Sequence, residues 1–136
     1  MTRTLSGIAT ALALTITAAS ADATCIQANA AGTWAAYSAG AAKGTYYWFK
    51  CTLTIDTAGK ITVGLCAESN GLASPITGHV RLTAPADCTF VGALDFTKFK
   101  EKATVDQATL SLDKQAVLGV GSVLTNKFTF NMLKTK

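Results

Sequence analysis

The chain has 136 residues, of which 49% are hydrophobic and 15% are charged, and its formal net charge is +4. This length fits one domain with one core. The charge is mild and no run of Lys and Arg occurs, which excludes a protein that binds nucleic acid through a basic patch.

The N-terminal segment has the pattern of a secretion signal. Met1-Thr2-Arg3 carries one positive charge, residues 5–19 are apolar or small, and Ala19-Ser20-Ala21 is an A-x-A cleavage site. The sequence therefore predicts a signal peptide over residues 1–21, cleaved after its last residue or at a second A-x-A site two residues later. Its apolar run is too short for a membrane span and no second one follows. We expect a secreted or periplasmic protein without a membrane span.

The rest of the chain divides into two predicted parts. Residues 22–44 are rich in Ala and Gly and are expected to form an N-terminal arm, a short helix or a first strand. Residues 45–136 are predicted to form an antiparallel β domain, in which Thr45–Ile55 and 60–66 flank a Gly-containing turn. Further strands are predicted at 76–83, 88–96, 104–112, 115–120 and 127–133. The fold class is all-β: a single antiparallel meander of seven to eight strands, closed as a small barrel or folded as a sandwich.

Alternation of side chains assigns each strand an apolar and a polar face. On the strand Thr45–Ile55, the apolar face contains Tyr47, Phe49, Cys51, Leu53 and Ile55. On the next strand, Ile61, Val63 and Leu65 are assigned to the same apolar side. Gly64 and Cys66 then fall on the polar side.

Three lysines, Lys98, Lys100 and Lys102, alternate with Phe99 and Glu101. On a strand these lysines would share one face. The pattern therefore predicts a solvated or edge face that discourages pairing with another molecule.

The cysteines number four and all follow the signal: Cys25, Cys51, Cys66 and Cys88. An even number in a small exported domain predicts two disulfides. Zinc is the alternative, but no C-x-x-C pair occurs and the only histidine is not near a cysteine in sequence, so no metal and no cofactor is expected. Cys51 and Cys88 fall on the apolar face and Cys66 on the polar face, so we predict the pairs Cys51–Cys88 and Cys25–Cys66.

The tripeptide Gly32-Thr33-Trp34 resembles the G-x-W opening of calycin barrels such as lipocalins and avidins. The resemblance covers three residues and no second motif follows, so no family is assigned from it. It implies a barrel in which Trp34 plugs one end.

Two large aromatic side chains fall on the otherwise polar face of the strand Thr45–Ile55. If Gly64 lies beside the histidine of the 76–83 strand, a shallow hollow forms on that face. We therefore predict a ligand-binding groove built by Tyr46, Trp48, Thr52, His79 and Arg81, suited to an extended or sugar-like ligand with a negative group. The alternative is that residues 24–44 cover the two aromatic side chains and bury them.

The leading functional prediction is a small exported β-sheet protein that binds a ligand or a protein partner and is not an enzyme. No nucleophile stands in a recognisable motif, and no two carboxylates lie close in sequence. A barrel-type inhibitor of an extracellular enzyme is one alternative. A hydrolase acting through His79 is another, because histidine is a common general base. The sequence does not determine the oligomeric state.

Overall fold

The structure, a computed structural model, describes residues 24–42 and 44–136. The predicted signal peptide lies outside the described residues. In this part of the chain a short 3-10 helix, Gln27–Ala30, precedes eight strands: β1 (Gly32–Ala42), β2 (Thr45–Ile55), β3 (Lys60–Glu68), β4 (Ala73–Ala84), β5 (Thr89–Phe96), β6 (Glu101–Leu110), β7 (Ala116–Val123) and β8 (Asn126–Lys134).

The strands form a closed antiparallel barrel. Each strand pairs with the next one in the chain, and β8 pairs with β1. The predicted antiparallel meander is confirmed, in its barrel form. β1 lies within the segment that was expected to be an arm, a short helix or a first strand. An eight-stranded barrel has no free edge, and its interior is just wide enough to be filled by side chains.

Alternation along the strands fills the interior with apolar side chains. On β2 the predicted apolar face points inward, where Leu53 and Ile55 are buried. Glycines make room for the largest rings, since a Cβ at Gly119 would overlap the ring of Phe130. The core also contains Ile61, Ile76, Phe90, Phe96, Val105, Leu110, Val117 and Met132.

The barrel is closed at the end where β1 begins. There Trp34 is fully buried, and its indole Nε1–H donates a hydrogen bond to the carbonyl oxygen of Ala30 at 2.9 Å. The Lys134 ammonium lies 5.0 Å from the centroid of the same ring. The side chain of Gln27 fastens the 3-10 helix to β4, donating to Val80 O at 3.0 Å and accepting from the Leu82 N–H at 2.8 Å. The position of Trp34 agrees with the expectation drawn from the G-x-W resemblance.

A β-bulge in β3 overturns the predicted faces of that strand. Ile55 pairs with Ile61, whereas Thr54 pairs with Val63, so one residue of β3 has no partner on β2. Beyond the bulge the parity of the strand is reversed. Val63 and Leu65, which were predicted to face the core, are therefore 67% and 53% exposed.

The same bulge explains why the predicted disulfide pairs are wrong. Cys66 is turned inward and lies directly opposite Cys51, to which it is bonded with a Cα–Cα distance of 4.0 Å. The second disulfide joins Cys25 to Cys88 and ties the segment before the 3-10 helix to the start of β5. The prediction that all four cysteines form two disulfides is confirmed.

The three alternating lysines do not share a strand face. Residues 97–100 form a turn between β5 and β6, and Lys100 has a positive φ of 56°. Of the three, only Lys102 lies on a strand, opposite Asp95 of β5. The predicted lysine face is therefore wrong at Lys98 and Lys100.

Candidate functional site at the barrel mouth

Three hollows are candidates for a ligand site in the described part of the chain. The barrel encloses an interior cavity of about 100 Å³. A hollow of about 440 Å³ lies at the end opposite Trp34, and we call it the mouth. A trough of about 640 Å³ runs along the outer wall, over β1, β6, β7 and β8. The trough is more open to solvent than the mouth, because the curved sheet bounds it on one side only.

Four aromatic rings separate the mouth from the interior cavity. The centroids of Tyr47 and Phe49 are 5.6 Å apart, those of Phe49 and Phe96 are 5.8 Å apart, and those of Phe96 and Phe99 are 6.4 Å apart. Phe49 and Phe96 line both spaces. We call these four residues the aromatic partition, and it forms the floor of the mouth.

The sequence positions the partition from three separate segments. Tyr47 and Phe49 are inward residues of β2, and Phe96 is the last residue of β5. Gly40 of β1 lies opposite Tyr47, and a Cβ there would lie 2.6 Å from the phenol oxygen. The missing side chain at Gly40 therefore lets the Tyr47 ring lie flat against β1.

The turn that carries Phe99 is anchored to β4. The backbone N–H of Lys98 donates to the hydroxyl of Ser74 at 3.1 Å, and the N–H of Thr97 donates to Pro75 O at 3.1 Å. Ser74 is fully buried. These bonds fix one side of the mouth, since a buried hydroxyl that accepts a backbone hydrogen bond is costly to displace.

The interior cavity behind the partition is apolar. Among the described residues that line it, Ser38 supplies the only hydroxyl. Its closed side is formed by Trp34 and Ala30, and Leu94 and Val123 line it nearer the mouth. Cavities of this kind stay dry and take apolar molecules.

The five residues of the predicted groove are not brought together. Tyr46 lies at the mouth and is 87% exposed, whereas Trp48 lies on the outer wall opposite Ala39 and is 52% exposed. Residues 24–42 do not cover them, because β1 pairs with β2 edge to edge. The alternative in which an arm buries both rings is therefore also wrong.

The bulge in β3 separates the other three groove residues. Thr52 lies opposite Leu65, and Gly64 points into the barrel, where a Cβ would overlap Ile76. The predicted hollow beside Gly64 is therefore not formed. His79 and Arg81 are exposed on β4 towards the closed end. Ligand binding by any one of the five residues stays a prediction.

The imidazole of His79 has a structural contact. One ring nitrogen, Nε2, lies 3.0 Å from the carbonyl oxygen of Ala58 in the turn between β2 and β3. This bond holds the ring against the turn. A catalytic role for His79 stays a prediction.

A serine, a lysine and an aspartate meet on the outside of β6, β7 and β8. The Ser122 hydroxyl donates to the Asp106 carboxylate at 2.5 Å, and the Lys127 ammonium lies 2.7 Å from Asp106 and 2.6 Å from Ser122. Hydrogen bonds from Lys127, Ser122 and Thr104 lower the pKa of Asp106 to about 2. The cluster is an ion pair that joins three strands.

The described residues contain no group of three or more His, Cys, Asp or Glu side chains that could hold a metal ion. The 3-10 helix before β1 is far too short to cross a membrane, and the described chain contains no helix that is long and apolar enough to do so.

Comparison with known proteins supports the fold but assigns no family. No family model matches the chain, and no curated protein matches it. A redesigned β-barrel, mFAP1, solved bound to DFHBI, is 15% identical with a TM-score of 0.65, covering 79% of this chain and 97% of its own. A de novo designed fluorescence-activating β-barrel is 11% identical with a TM-score of 0.59, covering 77% and 93%. A third structure, also a redesigned β-barrel, is 15% identical with a TM-score of 0.61, covering 81% of this chain and 95% of its own. At these identities the similarity shows the fold alone.

Proposed function

We propose that the protein binds a small, flat, apolar molecule at the barrel mouth, against the aromatic partition. The observation that carries this proposal is the position of four contacting rings between a mouth of about 440 Å³ and an apolar interior. Sites for small ligands are commonly concave, largely apolar and on the order of 300–1,000 Å³, often in the mouths of barrels. The mouth falls within this range.

The interior cavity serves as an extension of the site and not as the whole of it. At about 100 Å³ it is smaller than the cavities of about 150 Å³ that bind benzene. A ligand that reaches it must turn the Phe49 or Phe96 ring aside. The main contact is therefore with the partition itself, where offset or edge-on stacking favours an aromatic ligand.

The rim of the mouth supplies a few polar groups that would orient such a ligand. The Asn70 amide donates to the Glu68 carboxylate at 2.8 Å, and its oxygen accepts from the Leu72 N–H at 2.8 Å. Both side chains are held in place by these bonds. A ligand with an apolar body and one hydrogen-bonding end fits this arrangement better than a sugar, which carries polar groups on every side.

Two further points support a binding role in an exported protein. One structural neighbour was solved with a small molecule, DFHBI, bound to its barrel. The two disulfides of this chain are compatible with an oxidising compartment, which supports secretion or a periplasmic location.

Titration with N-phenyl-1-naphthylamine tests the proposal, because the fluorescence of this neutral flat probe rises in an apolar site. Phe99→Ala removes one ring of the partition and should weaken binding by about tenfold, or about 1.4 kcal/mol. Leu118→Ala on the outer trough is the matched control and should leave the affinity unchanged. The proposal is wrong if the probe does not bind, or if Leu118→Ala weakens binding as much as Phe99→Ala.

A further inference from the structure

The mouth carries charge of one sign. Glu68 and Glu101 line it, and they are the only charged residues among the described ones that do so. The chain as a whole is basic, with a formal net charge of +4. A mouth lined only by acidic charge therefore departs from the charge balance of the protein.

The strand pairing turns both carboxylates towards the barrel axis. Glu68 of β3 lies directly opposite Phe49 of β2, and Glu101 of β6 lies directly opposite Phe96 of β5. Residues that pair directly across two strands point to the same side of a sheet. The rings of Phe49 and Phe96 point inward, since both line the interior cavity. The side chains of the two glutamates therefore point inward as well, each beside one ring of the aromatic partition.

The lysines nearest to Glu101 in sequence do not share its position. Lys102 follows it on β6 and so projects from the outer face of that strand, opposite Asp95. Lys98 and Lys100 are exposed on the turn between β5 and β6, and neither lines the mouth. In the described part of the chain, no ion pair involves either glutamate of the mouth. Their negative charge is therefore available to a ligand.

Glu68 is held in place for such a contact. It is half-buried, and its Oε2 accepts the hydrogen bond from the Asn70 amide at 2.8 Å. A carboxylate accepts several hydrogen bonds, so its other oxygen can accept one from a ligand. Glu101 is exposed at the rim, where its longer reach lets it follow a bound group.

We propose that the ligand of the mouth is an organic cation, with a flat apolar body that carries a protonated or quaternary amine. This inference rests on the proposed function, because it uses the same site and adds the charge of the ligand. The body packs on the aromatic partition, and the ammonium group lies between Glu68 and Glu101. Its charge is attracted by the two carboxylates and by the faces of the aromatic rings. An eight-stranded barrel is narrow enough for side chains from different sides of the rim to reach one group at its centre.

Two probes of the same size test the charge of the ligand. 1-Naphthylmethylamine is a cation at neutral pH, and 1-naphthalenemethanol is its neutral counterpart. Isothermal titration calorimetry of the full chain at low salt should give a dissociation constant at least about tenfold lower for the amine than for the alcohol. Raising the ionic strength to about 0.5 M should reduce this preference several-fold, because salt screens charges near the surface.

The double variant Glu68→Gln/Glu101→Gln removes the charge and keeps the size of both side chains. It should bind the two probes about equally, and its unchanged affinity for the alcohol shows that the site is intact. The matched control is Asp87→Asn/Asp95→Asn, which removes two negative charges from residues that do not line the mouth. This control should keep the preference for the amine.

The outcomes separate this inference from the proposed function. Equal binding of both probes by the unmodified chain overturns the inference and leaves the proposed function standing. A preference for the amine that survives in the double glutamine variant also overturns it, and so does a preference that the control variant loses to the same extent. If neither probe binds, the proposed function and the inference are both wrong.

Discussion

The rings of Phe49 and Phe96 lie 5.8 Å apart at an interplanar angle of 38°, although their residues come from strands on different sides of the barrel. Both rings border the mouth on one side and the interior cavity on the other. They are the inner pair of the aromatic partition. The depth to which a ligand enters the barrel therefore depends on these two side chains.

Replacing Phe96 with Ala should destabilise the barrel and join the two spaces. Phe96 is buried, so the free energy of unfolding should fall by about 3–5 kcal/mol, because the ring no longer buries apolar surface and a cavity is left behind. Benzene should restore part of this loss, because it binds the enlarged cavity of the folded state only. Urea denaturation with and without benzene measures both effects. A loss below about 1 kcal/mol, or no response to benzene, would contradict this account of the partition.

Gly40→Ala should narrow the mouth at a moderate cost in stability. The added Cβ would lie 2.6 Å from the Tyr47 phenol oxygen, and that ring can swing towards the mouth to avoid it. We expect a destabilisation of about 1–2 kcal/mol and a several-fold weaker affinity for N-phenyl-1-naphthylamine. In a Tyr47→Ala background the same substitution should have almost no further effect on affinity. An equal effect in both backgrounds would show that Tyr47 does not transmit the change.

The two disulfides should differ in their contribution to stability. The Cys25–Cys88 bond closes a loop with a sequence separation of 63, whereas that of Cys51–Cys66 is 15. Loop entropy then predicts that the free energy of unfolding falls by about 4 kcal/mol when the Cys25–Cys88 pair is replaced by alanine. For the Cys51–Cys66 pair the expected fall is about 3 kcal/mol. Guanidinium denaturation measures them, after non-reduced peptide mapping has verified the two pairs. The reverse order of losses would mean that chain entropy does not dominate.

The Asp106 ion pair should be visible as a pH effect. The pKa of the Asp106 carboxyl is lowered from 3.8 to about 2, chiefly by the hydrogen bond from Lys127. A carboxylate whose pKa is lower in the folded state than in the unfolded state stabilises the fold at pH values above its unfolded-state pKa. This contribution is lost as the pH falls from 3.8 towards about 2. Asp106→Asn should therefore flatten that part of the stability profile, and Lys127→Met should raise the pKa of Asp106 in an NMR titration. An Asp106 pKa near 3.8 in the unmodified protein would contradict the bonding described above.

The fold could be predicted because it depends on local patterns. The alternation of apolar and polar residues on β2 predicts that Leu53 and Ile55 point inward, and both are buried in the structure. The bulge in β3 is different. Gly64 lies two residues beyond it and is the one local signal, but an isolated Gly does not fix where a bulge falls, and Thr62 suits a regular strand. One extra residue there exchanged the environments of Leu65 and Cys66, which led to the wrong disulfide pairs.

The candidate site could not be predicted, because it depends on barrel closure. Tyr47 and Phe49 were correctly expected to lie on the inward, apolar face, but nothing local shows that they lie at an open end. Phe99 was placed on a strand by its alternation with lysines, whereas a bond between the Lys98 N–H and Ser74 places it in a turn. Exposed aromatic residues on one strand suggested a groove on the outer wall. The structure instead groups four aromatic rings at the mouth.

The most direct test of ligand binding at the mouth is a methyl-resolved NMR titration with N-phenyl-1-naphthylamine. Val123 and Leu124 line the mouth, and Leu94 lines the cavity behind the partition. Leu118 and Val120 border the trough on the outer wall. We predict the largest shifts at Val123 and Leu124, smaller shifts at Leu94, and none at Leu118 and Val120. Shifts confined to Leu118 and Val120, with the mouth methyl groups unchanged, would contradict the proposed function.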